Sequence, residues 1–244
     1  MPRFFTDSSA ISETHIAVTG EDARHIARSL RMAAGEHITV CDTEGTEYLC
    51  VLEKIRDDEV ACKIESSSPS TKEPKAKITL YMAYPKGDKL ETVIQKAVEL
   101  GAYKIVPFES ERCIKRPPKE KADKLSLRFN RIAEEAAKQC GRGVLPRVED
   151  CVSFDALCSK IPSHELCLFC YEGDGTLSLK KVLEKAGLPK DIAVIVGCEG
   201  GFSEKEARLI CECGAAPVNL GPRILRCETA PSFCLSALSF FFEL

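Results

Sequence analysis

The sequence lacks any apolar run near the roughly 20 residues that a membrane-spanning helix needs. Its first ten residues, MPRFFTDSSA, also lack the apolar stretch of a secretory leader. From these two absences we expect a cytoplasmic protein without a membrane partner. An overall excess of positive charge is lacking too, since 34 Lys and Arg face 37 Asp and Glu. Taken alone, this balance argues against a nucleic-acid-binding protein.

The cysteine pattern lacks the spacing of a metal site. Only Cys167 and Cys170 have C-x-x-C spacing among the fourteen cysteines, and His164 is the one histidine nearby. Zinc sites usually need two such pairs, or histidines at metal spacing. We therefore expect no metal, and thiols that pack like small hydrophobic side chains in a reducing compartment.

Positive charge is concentrated in one part of the chain. Residues 77–148 carry 16 Lys and Arg against 9 Asp and Glu, which gives +7. Residues 35–76 and 149–244 each give −5. Because a polyanion is bound by local basic patches, RNA binding remains compatible with a net charge of −3.

A polar segment with two prolines, residues 66–76, predicts a linker between domains at 1–70 and 77–244. Before it, β-like stretches at 37–42, 47–55 and 60–64 and one helical stretch at 22–32 predict a small β-barrel or sandwich. After it, strand-like stretches at 78–84, 105–108, 166–171, 192–196 and 218–220 alternate with helical ones at 88–100, 119–140, 178–185 and 203–213. This alternation is typical of an α/β domain with a largely parallel sheet.

Residues 229–244 predict a last helix that is apolar nearly all the way round. Such a helix must be buried on every side. It lies either at the centre of the domain or in a subunit interface, and we favour the interface because chain termini usually lie at the surface of a domain.

Two turns carry the residues most suggestive of chemistry. The strand at 192–196 runs into G-C-E-G-G at 197–201, and Ser203 with Glu206 then fits a helix capping box, as Asp88 with Glu91 does earlier. A glycine turn between strand and helix is where α/β proteins bind nucleotides, although its spacing does not fit the dinucleotide fingerprint. The strand at 218–220 is followed by G-P-R-I-L-R-C-E-T. The alternative is a purely structural loop in which Arg226 and Glu228 pair.

Seven segments together resemble one family: MPRFF at 1–5, RHIARSLRM at 24–32, KGDKLETVIQKAVELG at 86–101, SERC at 110–113, KQCGR at 138–142, GCEGGFSEKE at 197–206 and NLGPRILRCETA at 219–230. In this order they are similar to the RsmE-type ribosomal RNA uridine-N3 methyltransferases of the SPOUT (α/β-knot) superfamily. Cys198 and Cys227 depart from the pattern, because the family usually has proline and threonine at these positions.

The resemblance implies a small N-terminal PUA-like β-barrel that binds RNA and a C-terminal SPOUT α/β domain with a deep trefoil knot. It implies S-adenosylmethionine as cofactor, 16S ribosomal RNA of the small ribosomal subunit as substrate, and a homodimer. The cofactor wall carried over from the family comprises Val196, Gly197, Glu199, Gly200, Gly201, Leu220, Gly221, Ile224, Leu225 and Arg226, with further contacts near residues 170–172.

Methylation of uridine N3 needs an acceptor for the N3 proton or a cation for the resulting anion. We assign Glu228 or Glu199 to the first role and Arg226 or Arg223 to the second, as a hypothesis. The alternative for Glu228 is a structural carboxylate that holds Arg226 or caps the last helix. The residues expected to contact RNA are Arg3, Arg24, His25, Arg28, Arg31, Lys86, Arg112, Arg142 and Arg223, and the basic segment adds Lys89, Lys115, Arg116 and Lys138.

Three other functions stay open. A SPOUT enzyme could methylate a ribose 2′-oxygen, and a non-catalytic assembly factor could bind RNA through the same fold. A nucleotide-dependent oxidoreductase is disfavoured, because the first strand of the second domain is followed by only one glycine.

Overall fold

The computed structural model describes residues 1–116, 120 and 122–244, so residue 119, where the long helix was expected to begin, lies outside the described part. The chain forms two compact units. The first unit comprises Met1–Glu73 and Ala137–Leu145, and the second comprises Pro74–Ala136 and Pro146–Leu244.

The first unit is a five-stranded half-barrel. Its strands are β1 (Arg3–Phe5), β2 (His15–Thr19), β3 (His37–Cys41), β4 (Thr46–Ile55) and β5 (Glu59–Pro69), in the order β1-β3-β4-β5-β2. β1 runs parallel to β3, and the other pairs are antiparallel. The predicted β-barrel class is confirmed, although the short strands β1 and β2 were not expected.

The core of the first unit combines apolar side chains with buried thiols. Phe4, Ile16 and Leu52 are among its buried members, together with Cys50 and Cys62. Burial raises the pKa of the Cys50 thiol to about 12 and that of Cys62 to about 11. These thiols therefore stay protonated and pack as small hydrophobic groups, as the sequence predicted.

The helical segment expected at 22–32 ends at Ser29, and it changes from an α-helix to a π-helix along its length. α1 (Gly20–Arg24) continues into a π-helical turn, His25–Ser29, and Ala23 and Ile26 anchor this segment in the core. Arg31 lies beyond the helix with a φ of +52°. The spacing of Arg24, Arg28 and Arg31 in the sequence predicts one helical face, and for Arg31 that prediction is wrong.

The first residues of the expected linker belong to β5. Ser66–Pro69 pair with Leu49–Thr46 of β4, and the amide of Ser70 donates to the carbonyl of Gly45 at 2.7 Å. The backbone can pair here although the side chains are polar, because ladder hydrogen bonds do not depend on side-chain polarity. Composition alone therefore placed the start of the linker too early.

Two arginines that were expected to contact RNA are instead used inside the first unit. The guanidinium of Arg142 donates to both carboxylate oxygens of Glu73, with a shortest distance of 2.6 Å, and its side chain is only 5% exposed. The guanidinium of Arg3 donates to Glu47 at 3.0 Å and to the carbonyl of Arg142 at 3.2 Å. Both cations are already neutralised by half-buried carboxylates, so RNA phosphates could reach them only by breaking these contacts.

Replacing Arg142 with alanine should therefore destabilise the fold. The change leaves the mostly buried Glu73 carboxylate without its cation, which costs about 3 kcal/mol. Urea unfolding of Arg142→Ala should show this loss, whereas Arg147→Ala, which removes an exposed arginine, should stay within about 0.5 kcal/mol of the wild type. Equal stability of the two variants would contradict the structural role of Arg142.

The second unit contains a seven-stranded parallel sheet. Its strands are β6 (Lys77–Ala83), β7 (Ala102–Phe108), β8 (Arg147–Val148), β9 (Leu166–Cys170), β10 (Leu177–Ser178), β11 (Asp191–Val196) and β12 (Ala216–Asn219). They lie in the order β10-β12-β9-β11-β6-β7-β8, and every pair is parallel. Ile192–Val196 is buried on both faces of the sheet, which explains its continuous apolar sequence. The predicted α/β class is confirmed.

The α-helices that follow β6 along the described chain are α2 (Lys89–Glu99), α3 (Ala122–Cys140), α4 (Phe154–Lys160), α5 (Leu179–Leu183), α6 (Glu204–Glu212) and α7 (Thr229–Phe242). The capping box of Ser203 and Glu206 at α6 is confirmed. The box expected of Asp88 and Glu91 is wrong, because Glu91 instead pairs with Arg128 at 2.8 Å.

The last helix, α7, is buried on one side only. Cys234, Leu235 and Leu238 face the core, whereas Phe240 and Phe241 are 72% and 41% exposed. The helix therefore does not lie at the centre of the unit, and its place in a subunit interface stays a prediction. No helix within the described residues is long and apolar enough to span a membrane.

Candidate functional site

The candidate site lies where three loops leave the carboxyl edge of the parallel sheet. Residues 197–202 follow β11, residues 220–228 follow β12, and residues 84–88 follow β6. We call the first the glycine turn and the second the arginine loop. Ligands of open α/β sheets bind at this edge. β9 lies between β11 and β12, so strand pairing alone does not bring these two loops together.

The glycine turn is too tight for side chains at two of its positions. A Cβ on Gly197 would lie 2.9 Å from the ring of Phe202, and a Cβ on Gly200 would lie 2.9 Å from Cβ of Arg112. Gly201 has a φ of +64°, and its amide donates to the carbonyl of Cys198 at 2.9 Å. Glycine is therefore required in this turn for packing and for backbone conformation.

An aromatic cluster holds the glycine turn against the sheet. The ring of Phe202 stacks on Phe108 of β7 with centroids 6.2 Å apart, and it meets Phe169 of β9 edge-on at 4.9 Å. Phe169 in turn stacks on Tyr171 at 5.1 Å. The turn is thus fixed to two strands before any ligand binds.

The ammonium group of Lys89, at the start of α2, contacts both loops. Its Nζ lies 2.9 Å from Oε1 of Glu199 in the glycine turn and 3.5 Å from Oε2 of Glu228 in the arginine loop. The thiol of Cys227 donates to Oε2 of Glu228 at 3.2 Å. Lys89 was expected among the RNA contacts, and only its place in the KGDKLE segment pointed to this region.

The two carboxylates are held in their ionised form. Burial opposes ionisation of Glu199, but hydrogen bonds from Lys89 and from the amide of Lys86 outweigh it, so the pKa of Glu199 lies below its usual range. The pKa of Glu228 is also lowered, first by its own backbone amide and then by Cys227 and Lys89. A lowered pKa weakens a base, so neither glutamate is well tuned to accept a proton.

The structural alternatives considered for Glu228 also need correction. Its partner is Lys89 rather than Arg226, and the amide at the start of α7, that of Thr229, donates to the carbonyl of Arg226 at 2.8 Å. Glu228 therefore neither pairs with Arg226 nor caps the last helix through its side chain.

Much of the arginine loop faces solvent. Ile224 is 82% exposed, and the side chains of Arg223 and Arg226 are exposed without an ion pair to any described residue. Gly221 has a φ of +106°, which only glycine adopts readily. Leu220 and Leu225 are half-buried, and Val196 is buried at the end of β11. The loop therefore presents both apolar surface and free cations.

Both departures from the family pattern are buried. The Cys198 thiol lies 4.0 Å from Oγ of Ser110, which lies 3.2 Å from the thiol of Cys113. Burial is the main cause that raises the pKa of Cys227 to about 12, so this thiol donates a hydrogen bond much as a threonine hydroxyl would. All fourteen cysteines are free, and the described residues contain no group of three or more His, Cys, Asp or Glu arranged to hold a metal ion.

Two protein families match the chain. Residues 71–239 match an RNA methyltransferase domain, and residues 18–65 match an RNA methyltransferase PUA domain. The chain belongs to the RNA methyltransferase family. The family confirms the fold class predicted from the sequence, with a PUA-like N-terminal domain and a C-terminal SPOUT-type α/β domain.

Similar proteins support the same assignment over nearly the whole chain. The ribosomal RNA small subunit methyltransferase E of Bacillus subtilis is 37% identical, and the alignment covers 93% of this chain and 91% of the relative. A crystal structure of ribosomal RNA small subunit methyltransferase E from Neisseria gonorrhoeae, bound to S-adenosyl methionine, is 30% identical with a TM-score of 0.89, covering 99% and 98% of the two chains. A putative methyltransferase from Legionella pneumophila, in complex with the same cofactor, is 32% identical with a TM-score of 0.87, covering 98% and 96%. The RsmE-type resemblance is thereby confirmed.

The remaining residues expected to contact RNA in this RNA methyltransferase are exposed. In the first unit, Arg24, His25 and Arg31 face solvent, and Arg28 does so while paired with Asp57. In the second unit, Lys86, Arg112 and Arg223 are exposed.

Many charges of the basic segment, by contrast, are neutralised within the protein. Ion pairs join Lys96 to Glu99, Lys104 to Glu149, Arg128 to Glu91, Arg131 to Glu135 and Lys138 to Asp22. The acidic partners of Lys104 and Lys138 lie outside residues 77–148, so these two pairs reduce the free positive charge below the +7 excess of that segment.

Proposed function

We propose that this chain binds S-adenosylmethionine between the glycine turn and the arginine loop, and transfers its methyl group to N3 of a uridine in 16S ribosomal RNA. The observation that carries the proposal is the contact of both loops with one side chain, Lys89, at the carboxyl edge of the sheet. The cofactor-bound relatives support the cofactor, and the RsmE-type motifs support the N3 acceptor.

The residues present suit this cofactor. Glu199 and Gly200 are exposed in the glycine turn, so backbone groups there can bind the polar edges of adenosine. Ile224, Leu220 and Leu225 offer apolar surface to its rings. The bound cofactor supplies an electrophilic methyl group on a sulfonium, and the protein must hold the acceptor in line with it.

Uridine N3 sets two demands on the protein. N3 lies on the pairing edge, so the base must be unpaired or flipped out to be reached. N3 also carries a proton, which must leave before the nitrogen can attack. We assign Arg226 to stabilise the O2/O4 anion, with Arg223 as the second candidate, because both guanidinium groups are exposed and free of described partners. The lowered pKa of Glu228 makes this carboxylate a weaker proton acceptor than an ordinary glutamate, so we assign it no part in taking the proton, which ends in the solvent.

Incubation with cofactor and unmodified small ribosomal subunits should produce N3-methyluridine. The measurement is mass spectrometry of nucleosides from the digested 16S RNA. Arg226→Ala should lower kcat about a hundredfold, because a single electrostatic donor in a site contributes on this scale. The control Arg147→Ala removes an exposed arginine of β8 and should keep full activity. Methylation of a ribose 2′-oxygen, or RNA binding without methylation, would contradict the proposed reaction and support one of its alternatives.

RNA binding by the first unit should depend on exposed arginines at its helix. We propose that Arg24 contacts a phosphate, with His25, Arg28 and Arg31 beside it in sequence. Arg24→Ala should then weaken RNA binding and reduce the slope of log affinity against log salt by about one. Arg56→Ala, an exposed arginine in the turn between β4 and β5, is the control and should leave the slope unchanged. An unchanged slope for Arg24→Ala would remove this arginine from the RNA contacts.

We further propose that the exposed side of α7 is covered by a second copy of the chain. Phe240 and Phe241 leave an apolar surface at the end of this helix, and the family resemblance implies a homodimer. Light scattering should give twice the chain mass of 26.8 kDa. Phe240→Glu should shift the mass towards the monomer, whereas Leu188→Glu, at an exposed loop leucine, should not. A monomeric wild type would contradict the dimer.

A further inference from the structure

The distance between the glycine turn and the arginine loop is not set by the sheet. The turn follows β11 and the loop follows β12, and β9 separates these strands. Lys89 begins α2, which follows a third strand, β6. Its side chain therefore links the two loops directly, independently of the hydrogen bonds between the strands.

The charges at this connection are unbalanced without Lys89. Both carboxylates lie within 3.5 Å of its Nζ, so Glu199 and Glu228 are close to each other as well. Two like charges at this separation repel, and the three side chains are 37%, 29% and 23% exposed, so water screens the repulsion only in part. Removing the ammonium would therefore push the two loops apart.

We propose that Lys89 is a positioning residue, whose ammonium ties Glu199 to Glu228 and thereby fixes the separation of the two cofactor walls. This inference rests on the proposed cofactor site. It replaces the expectation that Lys89 contacts RNA, because the charge of this ammonium is already matched by two carboxylates. Lys96, on the same helix, is an exposed lysine that pairs with Glu99 at 2.8 Å, so it is the matched control.

The test compares Lys89→Met, Lys89→Arg and Lys96→Met in the full-length protein. Calorimetry with S-adenosylmethionine should show about a tenfold higher Kd for Lys89→Met, in the range expected for a small ion-pair network. Lys89→Arg should recover most of the affinity, and Lys96→Met should bind the cofactor like the wild type. An unchanged Kd in Lys89→Met, with weaker RNA binding, would overturn the proposal and assign Lys89 to RNA.

A pH series separates positioning from a general loss of structure. With Lys89 present, the lowered pKa values keep both glutamates ionised to acidic pH, so cofactor affinity should stay constant as the pH falls towards that range. Without the ammonium these pKa values rise, and protonation of one glutamate relieves the repulsion between the two carboxylates. The affinity of Lys89→Met should therefore rise as the pH falls, over a range in which that of the wild type stays constant. Parallel pH profiles would contradict the role.

The link between Lys89 and the two glutamates can also be tested by removing both carboxylates and by following their titration. In a Glu199→Gln, Glu228→Gln background, Lys89→Met should change the Kd for the cofactor by less than about twofold, because both partners of the ammonium are gone.

If the wild type does not bind the cofactor, the proposed function fails, but carboxyl carbon NMR of the free protein still tests whether Lys89 joins the two glutamates. Lys89→Met should then raise the pKa of both glutamates together, and a shift of only one, or of neither, would overturn it.

Discussion

The second unit depends on one constraint: parallel strands bring all their carboxyl ends to the same edge of the sheet. β11 is buried on both faces, so its residues are apolar and the chemistry is confined to the loops that follow the strands. The glycine turn, the arginine loop and the start of α2 thus converge at one edge. The aromatic contacts of Phe202 hold the glycine turn against the sheet, and the ion pairs of Lys89 join this turn to the arginine loop.

The charged residues divide by environment into two groups. Arg3 and Arg142 are buried with carboxylates and stabilise the first unit, whereas Arg223 and Arg226 are exposed and free of described partners. The same residue type therefore serves stability in one place and ligand contact in the other. Glu199 and Glu228 are partly exposed, but their lowered pKa values and their shared partner Lys89 suit them to hold loops rather than to move protons.

The sequence predicted those features of the fold that depend only on residues close together along the chain. The apolar run of β11, the glycine turn and the capping box of Ser203 each depend on neighbouring residues, and all were found where expected. The strand order, with β11 between β6 and β9, and the pairing of Arg142 with Glu73 depend on residues far apart in sequence. Lys89 was missed as a site residue for the same reason, since 110 residues separate it from Glu199. The π-helical turn at His25–Ser29 was also missed, because hydrophobic periodicity predicts a helix but not its pitch.

The central claim is that the glycine turn and the arginine loop form one cofactor site held by Lys89. A crystal structure of the protein with S-adenosylmethionine tests it most directly. The account predicts adenosine against the backbone of Gly197–Gly201 and the apolar side chains of residues 220–225, with Lys89 still bound to Glu199 and Glu228. Cofactor bound elsewhere in the chain, or bound here only after Lys89 has left both carboxylates, would contradict it.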